Sequence, residues 1–168
     1  MNLSIKDLPA HVGEEVTVRG WAYNVRSSGS SMFLQLRDGS GRVQGVLVKN
    51  ETTPEKWEDA KRATNETSMI VTGVVREDAR SASGVELTVK DVEIVAIAEE
   101  FPIGKKEHGP DFLMDERHLW IRSTRQEAIL RVRSEIVYAM REFMHQRGFC
   151  LTDSPMFTPS ACEGTITV

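Results

Sequence analysis

Cysteine is scarce in this sequence of 168 residues. Its two cysteines, Cys150 and Cys162, do not form a C-x-x-C pair. A disulfide scaffold and a zinc site built on cysteine pairs are therefore excluded. The histidines show no clustering that indicates a metal ligand set, so no metal site is predicted.

Long apolar runs are also missing. No stretch approaches the roughly 20 apolar residues of a membrane-spanning helix. The first seven residues, MNLSIKD, do not combine a basic start with an apolar segment, as a secretory signal would. We therefore expect a cytoplasmic protein with reduced thiols.

An excess of basic residues is absent as well. Lys and Arg number 21 against 25 Asp and Glu, a formal net charge of −4. A protein that grips nucleic acid mainly by neutralising phosphates is usually more basic. Any binding of nucleic acid by this chain must therefore depend on a specific site.

The first hundred residues alternate between apolar and polar positions in the manner of β-strands. In the segment 15–26, apolar residues at 16 and 18 give way after Gly20 to apolar residues at 21, 23 and 25. A change of parity at a glycine predicts a β-bulge there. In the next strand, residues 32, 34 and 36 share one face, and Phe33 lies on the other.

The order of elements predicts the fold. Three strands precede a helix that begins at Thr53-Pro54, and two strands follow it, Ser68 to Arg76 and a segment starting at Val85. A five-stranded barrel with its helix between strands 3 and 4 is the OB arrangement. Another small β-barrel or a β-sandwich is the alternative. We expect this domain to cover residues 1–101.

Residues 102–122 predict a hinge or connector, and residues 123–168 begin a second domain. Ser123 or Thr124 fits the start of a long helix, and Gly148 fits its C-terminal cap. A short strand is expected from Phe149, ending at Pro155. The helix carries a wide apolar stripe, which predicts burial against another domain or subunit; it consists of Ile129, Val132, Ile136, Met140 and Phe143, widened by Leu130, Val137 and Met144.

Residues 147–159 (RGFCLTDSPMFTP) resemble motif 1 of the class II aminoacyl-tRNA synthetases, a long helix followed by a strand that ends in proline. Residues 20–26 (GWAYNVR) and 32–38 (MFLQLRD) are similar to the anticodon-binding OB domain of the aspartyl, asparaginyl and lysyl subgroup. The resemblance therefore implies the N-terminal portion of such an enzyme, in which motif 1 opens an incomplete class II α+β catalytic domain.

The connector distinguishes members of the subgroup. Residues 101–113 (FPIGKKEHGPDFL) and 117–122 (RHLWIR) resemble the asparaginyl-tRNA synthetases, whereas the aspartyl and lysyl enzymes usually carry RYLD in place of HLWI. Residues 159–165 (PSACEGT) also resemble the asparaginyl loop after motif 1. The implied activity is activation of asparagine with ATP and its transfer to tRNA(Asn). A non-catalytic OB-fold tRNA-binding module and an aspartyl enzyme of relaxed tRNA specificity are the alternatives.

Four residues are candidates for binding the anticodon. Phe33 is an outward aromatic at the position where the family stacks the central base, unless a loop or partner covers it. Gln44 offers a donor and an acceptor that match the edge of uracil. Glu86 is a candidate acceptor on the fifth strand, and Arg26 is a candidate to hold the backbone or stack on a base. The alternative for each of these three is an ordinary solvated side chain.

The resemblance implies further sites near the end of the sequence. Ser160 and Glu163 belong to a loop that, in the subgroup, closes over the amino acid, with the glutamate facing its ammonium group. The expected homodimer interface of motif 1 comprises Ile136, Met140, Phe143, Gly148, Phe149 and Pro155.

The catalytic motifs 2 and 3, which bind ATP in these enzymes, are not found in the 168 residues. We therefore expect a segment cut from a synthetase or a truncated reading frame, inactive as a ligase by itself. ATP and Mg²⁺ are the cofactors expected for the complete enzyme, and none is expected for this segment.

Overall fold

Five strands with alternating buried and outward residues dominate the first 104 residues of the computed structural model, which describes residues 1–104 and 106–154. The strands are β1 (Glu15–Ser28), β2 (Ser31–Arg37), β3 (Arg42–Val48), β4 (Ser68–Glu77) and β5 (Val85–Ala96). Helix α1 (Pro54–Lys61) lies between β3 and β4 in the chain, and 3-10 helices occupy Ile5–His11 and Lys49–Glu51.

The strands form a closed barrel in the order β1-β2-β3-β5-β4. All neighbouring pairs are antiparallel except β3 and β5, which run parallel. This is the OB arrangement, so the fold predicted from the order of strands and helix is confirmed. Closure leaves no open sheet edge along the paired segments.

The barrel interior is filled by aliphatic side chains at every second strand position. In β2, Met32, Leu34 and Leu36 are buried while Phe33 and Gln35 are not, as the alternation predicted. Burying one large aliphatic side chain contributes about 1.5–3 kcal/mol to folding. The same inward rows continue through the other strands, with Val16, Val18, Val43, Leu47, Met69, Val71, Val75, Val85, Leu87 and Val89.

The bulge in β1 lies at Tyr23 and not at Gly20, so that part of the prediction is wrong. Ala22 pairs with Leu36 and Asn24 pairs with Gln35, which leaves Tyr23 as the extra residue. The inward row continues past Gly20 to the buried Ala22, and Trp21 is 41% exposed. The inward-facing positions change from even to odd residue numbers only after Tyr23.

Gly20 serves a different purpose at a corner of the barrel. β1 pairs with β4 up to Trp21 and with β2 from Trp21 onward. A Cβ atom on Gly20 would lie 2.4 Å from the carbonyl oxygen of Arg37 at the end of β2. Only glycine allows the three backbones to meet this closely.

Helix α1 packs one side against the barrel. Its N-cap residue Thr53 accepts a hydrogen bond from the backbone N–H of Lys56, and Pro54 occupies the first turn. Trp57 and Ala60 are buried, whereas Lys61 is exposed. The helix contacts β5, where Lys56 forms an ion pair with Asp91 at 3.0 Å.

Asp38 in the β2–β3 turn ties the N-terminal segment to the barrel. Its carboxylate accepts hydrogen bonds from the backbone N–H groups of Ile5, Ser40 and Gly41 and from the Ser40 hydroxyl. Burial opposes ionisation of this carboxyl, but the four hydrogen bonds together hold its pKa below the ordinary value.

The second compact unit begins at residue 105 and contains three described helices, α2 (Pro110–Asp115), α3 (Arg117–Trp120) and α4 (Thr124–His145). The Ser123 side chain caps α4 by accepting from the N–H of Gln126. Gly148 adopts φ of 83°, and the N–H of Phe149 donates to the carbonyl of Met144. These features form a Schellman cap, as expected for the glycine.

The short strand expected from Phe149 is not formed within the described residues, which end at 154. No described segment pairs with it, and a strand requires a hydrogen-bonded neighbour. Of the helices in the described ranges, none combines the length and apolar character needed to cross a membrane.

Gly20→Ala should destabilise the barrel by roughly 1–3 kcal/mol, the usual cost of overpacking, because the new Cβ would collide with the Arg37 carbonyl. Chemical denaturation measures the change in the free energy of unfolding. Gly39→Ala is the control, since a Cβ there meets nothing within 4 Å. Equal stability of the two variants would contradict the close approach at the corner.

Candidate functional site

One face of the barrel carries a groove with a volume of about 560 Å³. Strands β1, β2 and β3 form its floor, and the loop between β4 and β5 forms one wall. The lining residues are Tyr23, Arg26, Phe33, Gln35, Arg42, Val43, Gln44, Asp78, Arg80, Ser81, Ala82 and Ser83.

Phe33 and Arg26 lie together in this groove. They are register partners across β1 and β2, and the Arg26 guanidinium carbon lies 5.6 Å from the centre of the Phe33 ring. Phe33 is half-buried and faces away from the barrel core, while Arg26 is exposed. A cation over an aromatic face is attracted by the ring quadrupole, so Arg26 occupies the face of Phe33 in the free protein.

Gln44 lies on the neighbouring strand and joins the same cluster. The Arg26 Nη2 group donates to Gln44 Oε1 at 3.4 Å. With its carbonyl directed toward Arg26, the Gln44 amide nitrogen can donate to a third group. The structure thus brings three of the four residues predicted from the sequence into one groove.

Glu86 lies beside the groove but is not among its lining residues. It pairs with Gln44 across the parallel β3–β5 ladder and with Arg76 across β4–β5. The side chain is half-buried. Its role in binding stays a prediction.

Sequence reasoning missed two residues of the groove floor. Arg42 places its guanidinium carbon 4.2 Å from the centre of the Tyr23 ring. The bulge turns Tyr23 into the groove. Residues i and i+2 of a strand share a face. Because Gln44 faces outward, Arg42, two residues before it, is expected to face outward as well.

The wall formed by residues 78–83 was also missed. Asp78 followed by serines and Gly84 is a turn signature, but nothing in the sequence indicates that this turn folds over the outer face of β2 and β3. Asp78 Oδ1 accepts hydrogen bonds from the backbone N–H and from Nε of Arg80. The groove lining therefore contains three arginines and one aspartate, a locally positive site on a chain with net negative charge.

No group of three or more His, Cys, Asp or Glu side chains in the described ranges is arranged to hold a metal ion. His11 Nδ1 lies 2.9 Å from Glu14 Oε2, an isolated pair at the surface.

Helix α4 presents its apolar stripe to solvent. Ile136, Met140 and Phe143 are 55%, 65% and 52% exposed, and Phe149 is 58% exposed. Gly148 is the helix cap described above. Pro155, Ser160 and Glu163, which complete the sites expected from the sequence, lie outside the described residues.

Comparison with known families gives two matches along the chain. Residues 16–95 match the family described as OB-fold nucleic acid binding domain of the tRNA anticodon type. Residues 109–167 match the family described as tRNA synthetases class II (D, K and N). The first match covers the barrel and the second covers α2 to α4.

Similar proteins carry names from the same group. The chain is 57% identical to the asparagine–tRNA ligase of Desulforamulus reducens over 98% of its own length, and 51% identical to that of Symbiobacterium thermophilum over 99%. It spans 38% of the length of each of these relatives.

A solved structure confirms the likeness of the fold. The asparaginyl-tRNA synthetase of Pyrococcus horikoshii, complexed with asparaginyl-adenylate, superposes with a TM-score of 0.82 at 35% identity. The alignment covers 94% of this chain and 37% of that one. The chain therefore belongs to the class II tRNA synthetase family of the aspartate, lysine and asparagine group, and it matches the N-terminal portion of the asparaginyl members.

Proposed function

We propose that this chain is the anticodon-binding and motif 1 portion of an asparagine–tRNA ligase, which activates asparagine with ATP and transfers it to tRNA(Asn) in the cytoplasm. The observation that carries the proposal is the convergence of Phe33, Arg26 and Gln44 in one groove of an OB barrel. The identity of over 50% to asparagine–tRNA ligases supports this choice within the group.

Phe33 supplies the stacking surface for the central anticodon base. An aromatic ring on an OB sheet stabilises a stacked base by about 1–3 kcal/mol. Arg26 covers this ring in the free protein, so a base must displace the guanidinium or slide beneath it. Either movement leaves Arg26 close to the nucleotide, where it holds the backbone or stacks on the second face of the base.

Gln44 reads the edge of the stacked base. In the free protein the amide carbonyl of Gln44 faces Arg26 at 3.4 Å, which leaves the amide nitrogen available to donate to a base acceptor such as O4 of uracil. Cytosine presents an amino donor at that position and would leave two donors facing each other. Glu86, next to Gln44 on β5, is proposed to accept from a neighbouring base.

The second unit would supply the dimer element and the amino-acid loop. The exposed stripe of α4, with Gly148, Phe149 and Pro155, is proposed to pack against a second copy in the complete enzyme. Ser160 and Glu163 are proposed to close over the amino acid. ATP and Mg²⁺ are assigned to the complete enzyme, and no step involving them is assigned to the described residues.

Phe33→Ala should weaken binding of an RNA stem-loop carrying the tRNA(Asn) anticodon by about 1–3 kcal/mol, because the stacking surface is lost. Fluorescence anisotropy measures the affinity, and thermal unfolding should be almost unchanged because Phe33 is outside the buried core. Trp21→Ala is the matched control, an exposed aromatic of the same barrel outside the groove. Equal losses for both variants would contradict a special role for Phe33.

Gln44→Ala should reduce discrimination between stem-loops with U and with C at the central anticodon position more than it reduces overall affinity. The reason is that contacts to base edges give specificity, whereas contacts to phosphates give position. Gln35→Ala is the matched variant, since Gln35 is the register partner of Gln44 and lines the same groove. An unchanged U-to-C ratio would show that Gln44 is not the reader.

The 168-residue chain should self-associate as its concentration rises, because the stripe on α4 exposes a contiguous apolar surface. Sedimentation velocity measures the change. Met140→Glu should abolish association by placing a charge within the stripe, whereas Ser134→Glu, which adds the same charge on another face of the helix, should not. A strictly monomeric wild-type chain would reject α4 as a self-association element.

A further inference from the structure

The loop that joins β4 to β5 contributes five groove residues that the proposed function does not use, among them Asp78 and Arg80. Its shape is fixed by backbone hydrogen bonds. The N–H of Asp78 donates to the carbonyl of Gly84, that of Ser81 to Asp78, and that of Gly84 to Ser81, each at 3.0 Å. Gly84 completes the turn with φ of 74°, which glycine adopts without strain.

Asp78 holds Arg80 at two points. Its Oδ1 atom accepts from the Arg80 backbone N–H at 3.0 Å and from Arg80 Nε at 3.1 Å. The side chain of Asp78 is only 12% exposed, whereas that of Arg80 is 88% exposed. The carboxylate therefore fixes the base of the guanidinium group at the edge of the groove, and its Nη groups are left for a second acceptor.

The electrostatics agree with this geometry. The backbone N–H of Arg80, followed by its side chain, lowers the pKa of Asp78, so the carboxylate is charged at neutral pH. The hydrogen bond to Asp78 in turn raises the pKa of Arg80.

The two other arginines of the groove lie over aromatic rings of the sheet, Arg26 over Phe33 and Arg42 over Tyr23. Arg80 instead lies on the wall, away from these ring faces.

We propose that Arg80 binds a phosphodiester oxygen of the RNA nucleotide held in the groove, and that Asp78 is the positioning residue that fixes Arg80 for this contact. The proposal rests on the proposed function. A stacked base directs its edge toward Gln44 on the sheet, and its sugar and phosphate then extend to the rim, where Arg80 is exposed. An ionised donor facing a phosphate forms one of the stronger hydrogen bonds available to a protein.

This assignment differs from base recognition in a measurable way. Removal of a phosphate contact weakens binding to all sequences about equally. It also lowers the slope of log affinity against log salt concentration by about 1. A contact with a base edge changes the ratio of affinities between sequences instead.

The test uses the 168-residue chain and labelled stem-loops with U or C at the central anticodon position, measured by anisotropy over a range of salt concentrations. Arg80→Ala should weaken binding of both RNAs roughly three- to tenfold at low salt. The U-to-C ratio should stay constant, and the slope of log affinity against log salt should fall by about 0.7 to 1. Arg62→Ala is the matched control, since this arginine of the α1 C-terminus is 68% exposed and outside the groove.

Asp78→Asn tests the positioning role. It should weaken binding less than Arg80→Ala and should have almost no further effect in the Arg80→Ala background, because Asp78 acts through Arg80. Additive losses would overturn the positioning role. Thermal unfolding of each variant separates a folding defect from a loss of contact, and Arg80→Gln provides a second variant that keeps the length of the side chain.

Three results distinguish the possible failures. If wild-type chain bound the anticodon stem-loop no better than a hairpin with an unrelated loop, the proposed function and this inference would both be rejected. If wild-type chain bound normally and Arg80→Ala had neither an affinity nor a salt effect, the inference alone would be rejected. A change in the U-to-C ratio on removal of Arg80 would also reject it, in favour of base recognition.

Discussion

The bend of β1 is the constraint on which the rest of the first unit depends. One strand of 14 residues pairs with β4 along its first half and with β2 along its second half, so it must turn sharply at Trp21 to close the barrel. Gly20 permits the close approach of Arg37 at this corner, and the bulge at Tyr23 then shifts the inward row from Ala22 to Val25. The barrel can close because the glycine at the corner and the bulge lie within four residues of each other.

The groove follows from the same bend. The extra residue at Tyr23 turns this ring to the outer face, where Arg42 lies over it, and it brings Arg26 opposite Phe33. The register of β2 with β3 and of β3 with β5 then places Gln44 next to Glu86. A polar groove is thus built from the outward positions of the same strands whose inward positions form the core. If the groove binds RNA as proposed, mutations at outward positions should change binding, and mutations at inward positions should change stability.

The sequence predicts those parts of the fold that depend on local pattern. Alternation in β2 identifies both the buried row and Phe33, and capping residues identify the start of α1 and both ends of α4. The bulge was assigned to Gly20 because a glycine is the usual local sign of a bulge. Its true position is set by pairing between β1 and β2, which one strand read alone does not contain. The wall at 78–83 was missed for the same reason, since its place over the groove depends on tertiary structure.

The two units differ in the source of their stability, and this difference agrees with the separate roles proposed for them. Twenty buried hydrophobic residues form one core in the first unit, so the barrel can present a fixed groove by itself. In the second unit, no described residue from 106 to 154 is buried. Caps at both ends define α4 as a helix, but a single helix gains little stability without packing. Its apolar stripe therefore favours a covering surface, whereas the groove, lined by arginines and aromatic rings, suits a charged and planar ligand. One chain thus carries two surfaces of opposite chemistry, which agrees with the roles proposed above for the groove in RNA binding and for α4 in assembly.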